Sequence, residues 1–144
     1  MSALNRILYV DDDSDGCEMM SLWLKQHSYC VLTAADGKAA KDLIQRRRFD
    51  LYILDYCLPD MTAVDLCNHI RSISAMVPIL IYSALSRQVD HRDALSAGAT
   101  KYLCKPNDLD RIVPEIRRLL GKRLYIPDSD ESKSRIRRRS AGIL

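Results

Sequence analysis

Residues 50–59 read DLYILDYCLP. Leu51 to Leu54 form a short apolar strand with apolar side chains on both of its faces, as in a parallel sheet covered by helices on both sides. The strand ends on a carboxylate, Asp55, ahead of a turn at Pro59. In open parallel sheets, ligands bind just beyond the carboxyl ends of the strands. Asp55 therefore stands where such a sheet does its chemistry. Taken alone it reads equally well as a surface carboxylate capping a turn, so the flanking sequence decides.

Working outward, strand and helix patterns alternate five times. Ile7 to Val10 is an apolar strand that runs into Asp11, Asp12 and Asp13, with Ser14 as the expected helix N-cap. A helix over 15–27 has a broad apolar face of Met19, Met20, Trp23 and Leu24. Tyr29 to Thr33 is the second strand. Asp36 caps a helix through Ile44, and Arg46, Arg47 and Arg48 close it, because cations suit a helix C-terminus. After the strand ending at Asp55, Thr62 or Asp60 opens a third helix with Ala63, Leu66, Cys67 and Ile70 at helical spacing. Pro78 to Tyr82 is an apolar fourth strand ending at Ser83. A helix over 86–97 has few apolar anchors, and Gly98 stops it. Tyr102 to Cys104 is the fifth strand and ends at Lys105-Pro106. The last helix, 108–120, presents Leu109, Ile112, Val113, Ile116, Leu119 and Leu120, with Pro114 expected to cost it a backbone bond. This alternation means an α/β domain: a doubly wound, five-stranded parallel sheet with five helices.

Composition narrows the class. The 144 residues are 47% hydrophobic, enough for one domain with a real core. No stretch approaches the ~20 apolar residues of a membrane span, and the N-terminus lacks a cleavable signal pattern. Five cysteines without metal spacing read as reduced thiols of a cytoplasmic protein. The net charge of +3 is uneven: residues 121–144 carry seven Lys/Arg against three Asp/Glu. The remaining 15 Lys/Arg and 16 Asp/Glu leave the first 120 residues at −1. A near-neutral body argues against nucleic-acid binding by the domain itself. We therefore expect a domain over 1–121 and a flexible basic tail over 122–144, with the acidic Asp128–Glu131 just before the RIRRR of 135–139.

Four strand ends carry Asp11/Asp12, Asp55, Ser83 and Lys105. A doubly wound sheet brings strand ends together. Clustered carboxylates repel unless a cation neutralises them, and an all-oxygen set suits magnesium, which needs only a few protein ligands. A lysine and a hydroxyl facing a metal-bound carboxylate make a receptor for a phosphoryl group. The carboxylate can act as nucleophile and carry an aspartyl phosphate. Each residue alone has a bland reading as cap, structural hydroxyl or solvated lysine; their joint placement does not.

The chain resembles the receiver domain of bacterial two-component response regulators, of the chemotaxis-regulator type, over about residues 4–121. The matching stretches are ILYVDDD (7–13), AADGKAAKDLI (34–44), DLYILDYCLPDM (50–61), PILIYSA (78–84) and GATKYLCKP (98–106). The resemblance implies the flavodoxin-like strand order 2-1-3-4-5. It implies that Asp55 is the phosphoacceptor, and that Asp11, Asp12, Asp55 and the Cys57 backbone carbonyl hold magnesium. Ser83 and Lys105 would bind phosphoryl oxygens, Ser83 and Tyr102 would form the switch, and Lys105–Pro106 would be cis. The implied partners are a sensor histidine kinase or histidine phosphotransfer protein and a downstream protein target. A homodimer stays open, no membrane is involved, and the domain catalyses its own phosphoryl transfer and dephosphorylation rather than acting as an enzyme on others. Trp23, on the first helix, is expected to report metal binding.

Two departures stand out. Thr62-Ala63 replaces the usual Asp/Asn-Gly, so the loop is expected to be reshaped where alanine cannot take positive φ. Lys101 stands where DNA-binding subfamilies often place an acidic dimer residue. Two other readings compete. A phosphorylation-independent interaction module is opposed by the complete site. An aspartyl-phosphate phosphatase would need an Asp-x-Asp-x-Thr pattern on the first strand, which lacks the Thr.

Overall fold

The architecture follows from three apolar strands, 7–10, 51–54 and 79–82, that need cover on both faces. The computed structural model describes residues 4–85 and 87–124. In chain order these form β1 (Arg6–Val10), α1 (Ser14–Gln26), β2 (Cys30–Ala34), α2 (Gly37–Arg46), β3 (Leu51–Leu54) and α3 (Ala63–Ile73). They continue as β4 (Ile79–Ser83), α4 (Gln88–Ser96), β5 (Lys101–Cys104), a 3-10 turn (Leu109–Arg111) and α5 (Ile112–Leu124). The five strands make one parallel sheet in the order β2-β1-β3-β4-β5. The expected fold class and strand order are both observed.

Side-chain parity explains the cover. Leu8, Val10, Tyr52, Leu54, Ile79 and Ile81 share one buried cluster with Ala40 and Ile44 of α2, Leu66 and Ile70 of α3, and Ala94 of α4. The alternate residues Ile7, Tyr9, Leu51, Ile53, Leu80 and Tyr82 are equally buried but fall outside that cluster, on the opposite face. Each fully buried aliphatic side chain contributes about 1.5–3 kcal/mol of transfer free energy. The apolar runs on either side of Asp55 are thus the core itself.

Local chemistry sets the helix ends, with several differences from expectation. Asp36 caps α2 as expected, accepting from the Ala39 N–H at 2.8 Å. Thr62, rather than Asp60, caps α3, in a reciprocal capping box with Asp65. Asp60 serves α2 instead: its two carboxylate oxygens accept from the Gly37 and Lys38 N–H groups at 2.8 and 2.9 Å. A sequence window cannot show that exchange, because 23 residues separate the partners. Ser14 begins α1 rather than capping it; Asp13 is the N-cap and makes no side-chain cap bond.

The loop after Asp55 needs no glycine. Ala63 is the first helical residue of α3, fully buried, and donates its N–H to the Tyr56 carbonyl at 2.7 Å. Among the described residues only Ser28 and Gly98 have positive φ. The anticipated reshaping at Thr62-Ala63 is therefore not needed, because neither residue must enter the left-handed region.

Pro114 is the third residue of α5, in its first turn, where its missing N–H costs little. A 3-10 turn, Leu109–Arg111, precedes the helix. The helix also continues through Gly121 to Leu124, beyond the boundary expected at 121. The expected start of the fourth helix at Ser86, and the acidic and RIRRR segments of the tail, lie outside the described residues.

Candidate functional site

The strand order decides which residues meet. β3 is the central strand, so Asp55 is flanked by the ends of β1 and β4, with β5 one strand further. The ladders run on past the strands. The Asp55 N–H donates to the Val10 carbonyl and the Lys105 N–H to the Ser83 carbonyl, each at 2.9 Å. These bonds fix the backbones of the residues that carry the candidate chemistry.

Lys105 is the hub. Its Nζ lies 2.5 Å from Asp11 Oδ2 and 3.3 Å from Asp55 Oδ2. The Tyr82 ring lies beneath the same ammonium at 5.5 Å, a cation–π contact. The Lys105–Pro106 peptide is cis, as expected. Cys104 is held beside it by its N–H, which donates to Asp108 Oδ2 at 2.8 Å.

Asp11 is 2% exposed. Besides Lys105 it accepts from the Tyr9 hydroxyl at 3.2 Å and the Asp13 N–H at 3.1 Å. Burial pushes its carboxyl up, but the Lys105 bond and charge, the Asp13 N–H and the Tyr9 hydroxyl together hold it below the usual carboxylate range. Asp55 differs. Burial, reinforced by the Asp11 charge, raises its carboxyl above the ordinary value against the opposing pull of Ser83 and Lys105. Lys105 is desolvated too, yet its two carboxylates hold its pKa above the ordinary lysine value. The Lys105 ammonium thus sits between two carboxyl groups that burial and charge push in opposite directions.

Asp11, Asp12 and Asp55 each offer a carboxylate oxygen within 4.8 Å of the others. Asp11 is buried, Asp55 half-buried and Asp12 exposed. The Cys57 residue pairs with Thr62 in an isolated bridge closed by the Leu58 N–H to Met61 carbonyl and Ala63 N–H to Tyr56 carbonyl bonds. Among the described residues the Cys57 carbonyl accepts none of these bonds. The donor set is all oxygen, open to water on the Asp12 side, and suits a hard octahedral cation such as magnesium.

Ser83 is 2% exposed, and its Oγ accepts from the Leu85 N–H at 3.4 Å. Tyr102, at the neighbouring strand, donates its hydroxyl to the Leu85 carbonyl at 2.8 Å and stacks on His91 of α4 with centroids 3.8 Å apart. Burial pushes its phenol pKa up to about 12, so at neutral pH it is a hydrogen-bond donor. α4 buries only Asp90 and Ala94, in keeping with its few apolar anchors, and Arg87 forks onto Asp90 at 2.8 and 3.0 Å.

The structure brings together every residue singled out from sequence at the strand ends. Sequence reasoning missed the roles of Tyr9, the Asp13 N–H, Leu85 and His91 in this site. Tyr9 carries the one readable signal, a hydroxyl two residues before an aspartate on a buried strand. Trp23 does not suit the metal-reporter role: it lies nine positions into α1, about 14 Å along the axis from Ser14, and packs edge-on against His27.

The chain matches the family model "Response regulator receiver domain" over residues 7–117. It is 38% identical over 117 residues to the uncharacterized transcriptional regulatory protein YrkP of Bacillus subtilis, covering 78% of this chain and 50% of that protein. It is 34% identical over 127 residues to the response regulator ArlR of Staphylococcus epidermidis, covering 88% of this chain and 56% of that protein. The chain thus spans about half the length of the curated relatives it matches. Among solved structures it is similar to a two-component response regulator from Clostridium difficile (TM-score 0.78, 25% identity, 82% of this chain and 97% of that one). It is also similar to the chemotaxis response regulator CheY4 of Vibrio cholerae (TM-score 0.75, 30% identity, 81% and 99%). With the strand order, the acidic cluster and the lysine at the end of β5 all in place, the chain belongs to the receiver domain family of two-component response regulators.

Proposed function

We propose that Asp55 accepts a phosphoryl group from the phosphohistidine of a sensor histidine kinase or histidine phosphotransfer protein, and that the resulting aspartyl phosphate controls a downstream protein. The observation that supports this best is Lys105 bridging Asp11 and Asp55 at the mouth of the acidic cluster. An Asp55 carboxylate oxygen attacks phosphorus; the new P–O bond forms as the P–N bond breaks, and the imidazole keeps the electron pair. Lys105 then turns its ammonium to a phosphoryl oxygen and Ser83 donates its hydroxyl to another. Asp11, Asp12, Asp55 and the Cys57 carbonyl would hold magnesium, which supplies charge neutralisation to the phosphoryl oxygens. Hydrolysis by water at the same site returns Asp55 to its carboxylate. No helix among the described residues is long and apolar enough to cross a membrane. The five cysteines are free thiols, which suits the reducing cytoplasm as the place of action.

The switch follows from the same contacts. Phosphate at Asp55 would draw the Ser83 hydroxyl towards it and weaken the hold of Ser83 on the Leu85 segment. Tyr102 is tied to that segment through the Leu85 carbonyl, so its ring and the stacked His91 would re-pack with α4. Acetyl phosphate with magnesium tests the first step. The intact chain gains one phosphoryl group and loses the gain when magnesium is chelated; labelling that ignores the metal contradicts the proposal. Hydrogen exchange with beryllofluoride tests the second. Altered protection is expected in α4 and β5, and a change confined to α1 contradicts the switch.

A further inference from the structure

The pole of the sheet opposite Asp55 carries a pocket that phosphoryl chemistry does not use. It has a volume of about 360 Å³ and lies where α2 and α3 end, lined by Phe49, Tyr52, Ile73 and Val77 with Arg47 and Arg48 among its walls. Asp55 follows the far end of β3, about 13 Å of strand away.

Two observations set this surface apart from an ordinary solvated face. Apolar groups are open to solvent here: Ile73 is 56% exposed and the following loop presents Met76 at 88%. Beside them stand three consecutive exposed arginines, 46–48, none of them in an ion pair among the described residues. The helix dipole accounts for Arg46, the last residue of α2. Arg47 is the C-cap and extended (φ −138, ψ 154), so the chain leaves the helix there and Arg48 lies beyond its end. Arg6 adds a further cation, its guanidinium on the Arg48 carbonyl at 3.2 Å. The neighbouring carboxylate, Asp50, is already engaged by the Arg6 N–H at 2.7 Å.

We propose that this pole docks an acidic segment of a partner protein. An aromatic or aliphatic side chain of that segment would enter the pocket, and flanking Asp/Glu carboxylates would lie on Arg47 and Arg48. Charge complementarity and residue type both favour it. Guanidinium forks match carboxylates bidentately, and Arg, Met and aromatic residues are the types enriched at protein interfaces. Nucleic acid fits less well. Phe49 and Tyr52 pack on each other at 5.6 Å and are 7% and 5% exposed, so neither offers a free ring face for a base. Docking at this end leaves the Asp55 site open, so the proposal stands apart from the phosphoacceptor reading.

The test is a titration of the full, nitrogen-15-labelled chain with the synthetic peptide EDEFEDL, read by backbone amide shifts. Saturable shifts confined to residues 44–49 and 73–77 are expected. The neutral peptide QNQFQNL should bind at least tenfold more weakly. So should the acidic peptide to the Arg47→Glu, Arg48→Glu chain, whose acetyl-phosphate labelling should stay at the wild-type level. Ile73→Ser, an exposed position that should not disturb folding, provides the independent arm and should also weaken binding. Equal affinity for the two peptides, or shifts elsewhere, would overturn the proposal. It is equally overturned if the same residues respond to duplex DNA or to protein concentration rather than to the peptide.

Discussion

Replacing Lys105 by methionine keeps the apolar stem and removes the charge, and the geometry gives two effects of opposite sign. Without metal, Asp11 stays 2% exposed with only the Tyr9 hydroxyl and the Asp13 N–H as donors. Breaking a buried ion pair costs about 3–5 kcal/mol. Lys105 is 24% exposed and Asp55 15%, so the low end, about 3 kcal/mol, applies. Magnesium binding is affected in the opposite direction, because Lys105 competes with the cation for the same carboxylates, and this offsets part of the loss. A unit pair at the 3.3 Å of Lys105 and Asp55 is worth about 1.3 kcal/mol at the dielectric of water and about 5 kcal/mol at an effective dielectric of 20. The site opens to solvent at Asp12, so the lower figure is appropriate, and returning that share to the metal tightens binding about tenfold. At saturating magnesium a tenfold gain adds about 1.4 kcal/mol of stability. Calorimetric titration with magnesium chloride, and thermal melts with and without it, measure both effects. Lys105→Met should melt lower than wild type without metal, gain more from magnesium, and label poorly with acetyl phosphate. Unchanged or weaker magnesium affinity in a folded Lys105→Met chain would refute the reasoning.

Three further outcomes are expected. Arg71 donates to the Gly98 carbonyl at 3.1 and 2.7 Å and to the Ser74 carbonyl at 3.1 Å, so Arg71→Met should lose about 2 kcal/mol in urea unfolding. His69 has a buried Nε2 with no partner among the described residues, and burial, helped by Lys41, holds its pKa below the ordinary value. Below about pH 6.5 the unfolded chain binds the proton that the folded chain resists, so stability falls with pH there; His69→Leu should flatten that slope in urea midpoints measured from pH 7.5 to about 5. A chain ending at Leu124 should fold and accept phosphate as the full chain does, and its failure to do so in circular dichroism or acetyl-phosphate labelling would place the domain boundary later.

Much of this was legible because the informative residues are local and redundant. Apolar runs such as Ile79 to Tyr82, too short for a helix and bounded by Pro78 and Ser83, suit a strand covered on both faces, and each such strand hands over to a polar residue where a site is expected. Asp36 was readable as a cap because its partner is three residues away. What escaped reading depends on distance in sequence. Asp60 looks like a start for α3, yet it caps α2 because the loop after β3 folds across that helix's N-terminus, and Met61 fills the space where a Gly37 side chain would be. The stacking of His91 on Tyr102 depends on where α4 settles against β5, which no window of sequence encodes. Pro114 misled for a simpler reason: its effect depends on the helix register, and a 3-10 turn moved the α-helical start to Ile112.

The central claim is that Asp55, and no other carboxylate of the cluster, carries the phosphoryl group. It is tested most directly by peptide mapping in a mass spectrometer after reaction with acetyl phosphate and magnesium, comparing wild type with Asp55→Asn. The predicted result is a phosphoryl group on the peptide containing Asp55 in wild type and none in the variant. Undiminished labelling of Asp55→Asn, or a phosphoryl group mapped to Asp11 or Asp12 in wild type, would contradict the account.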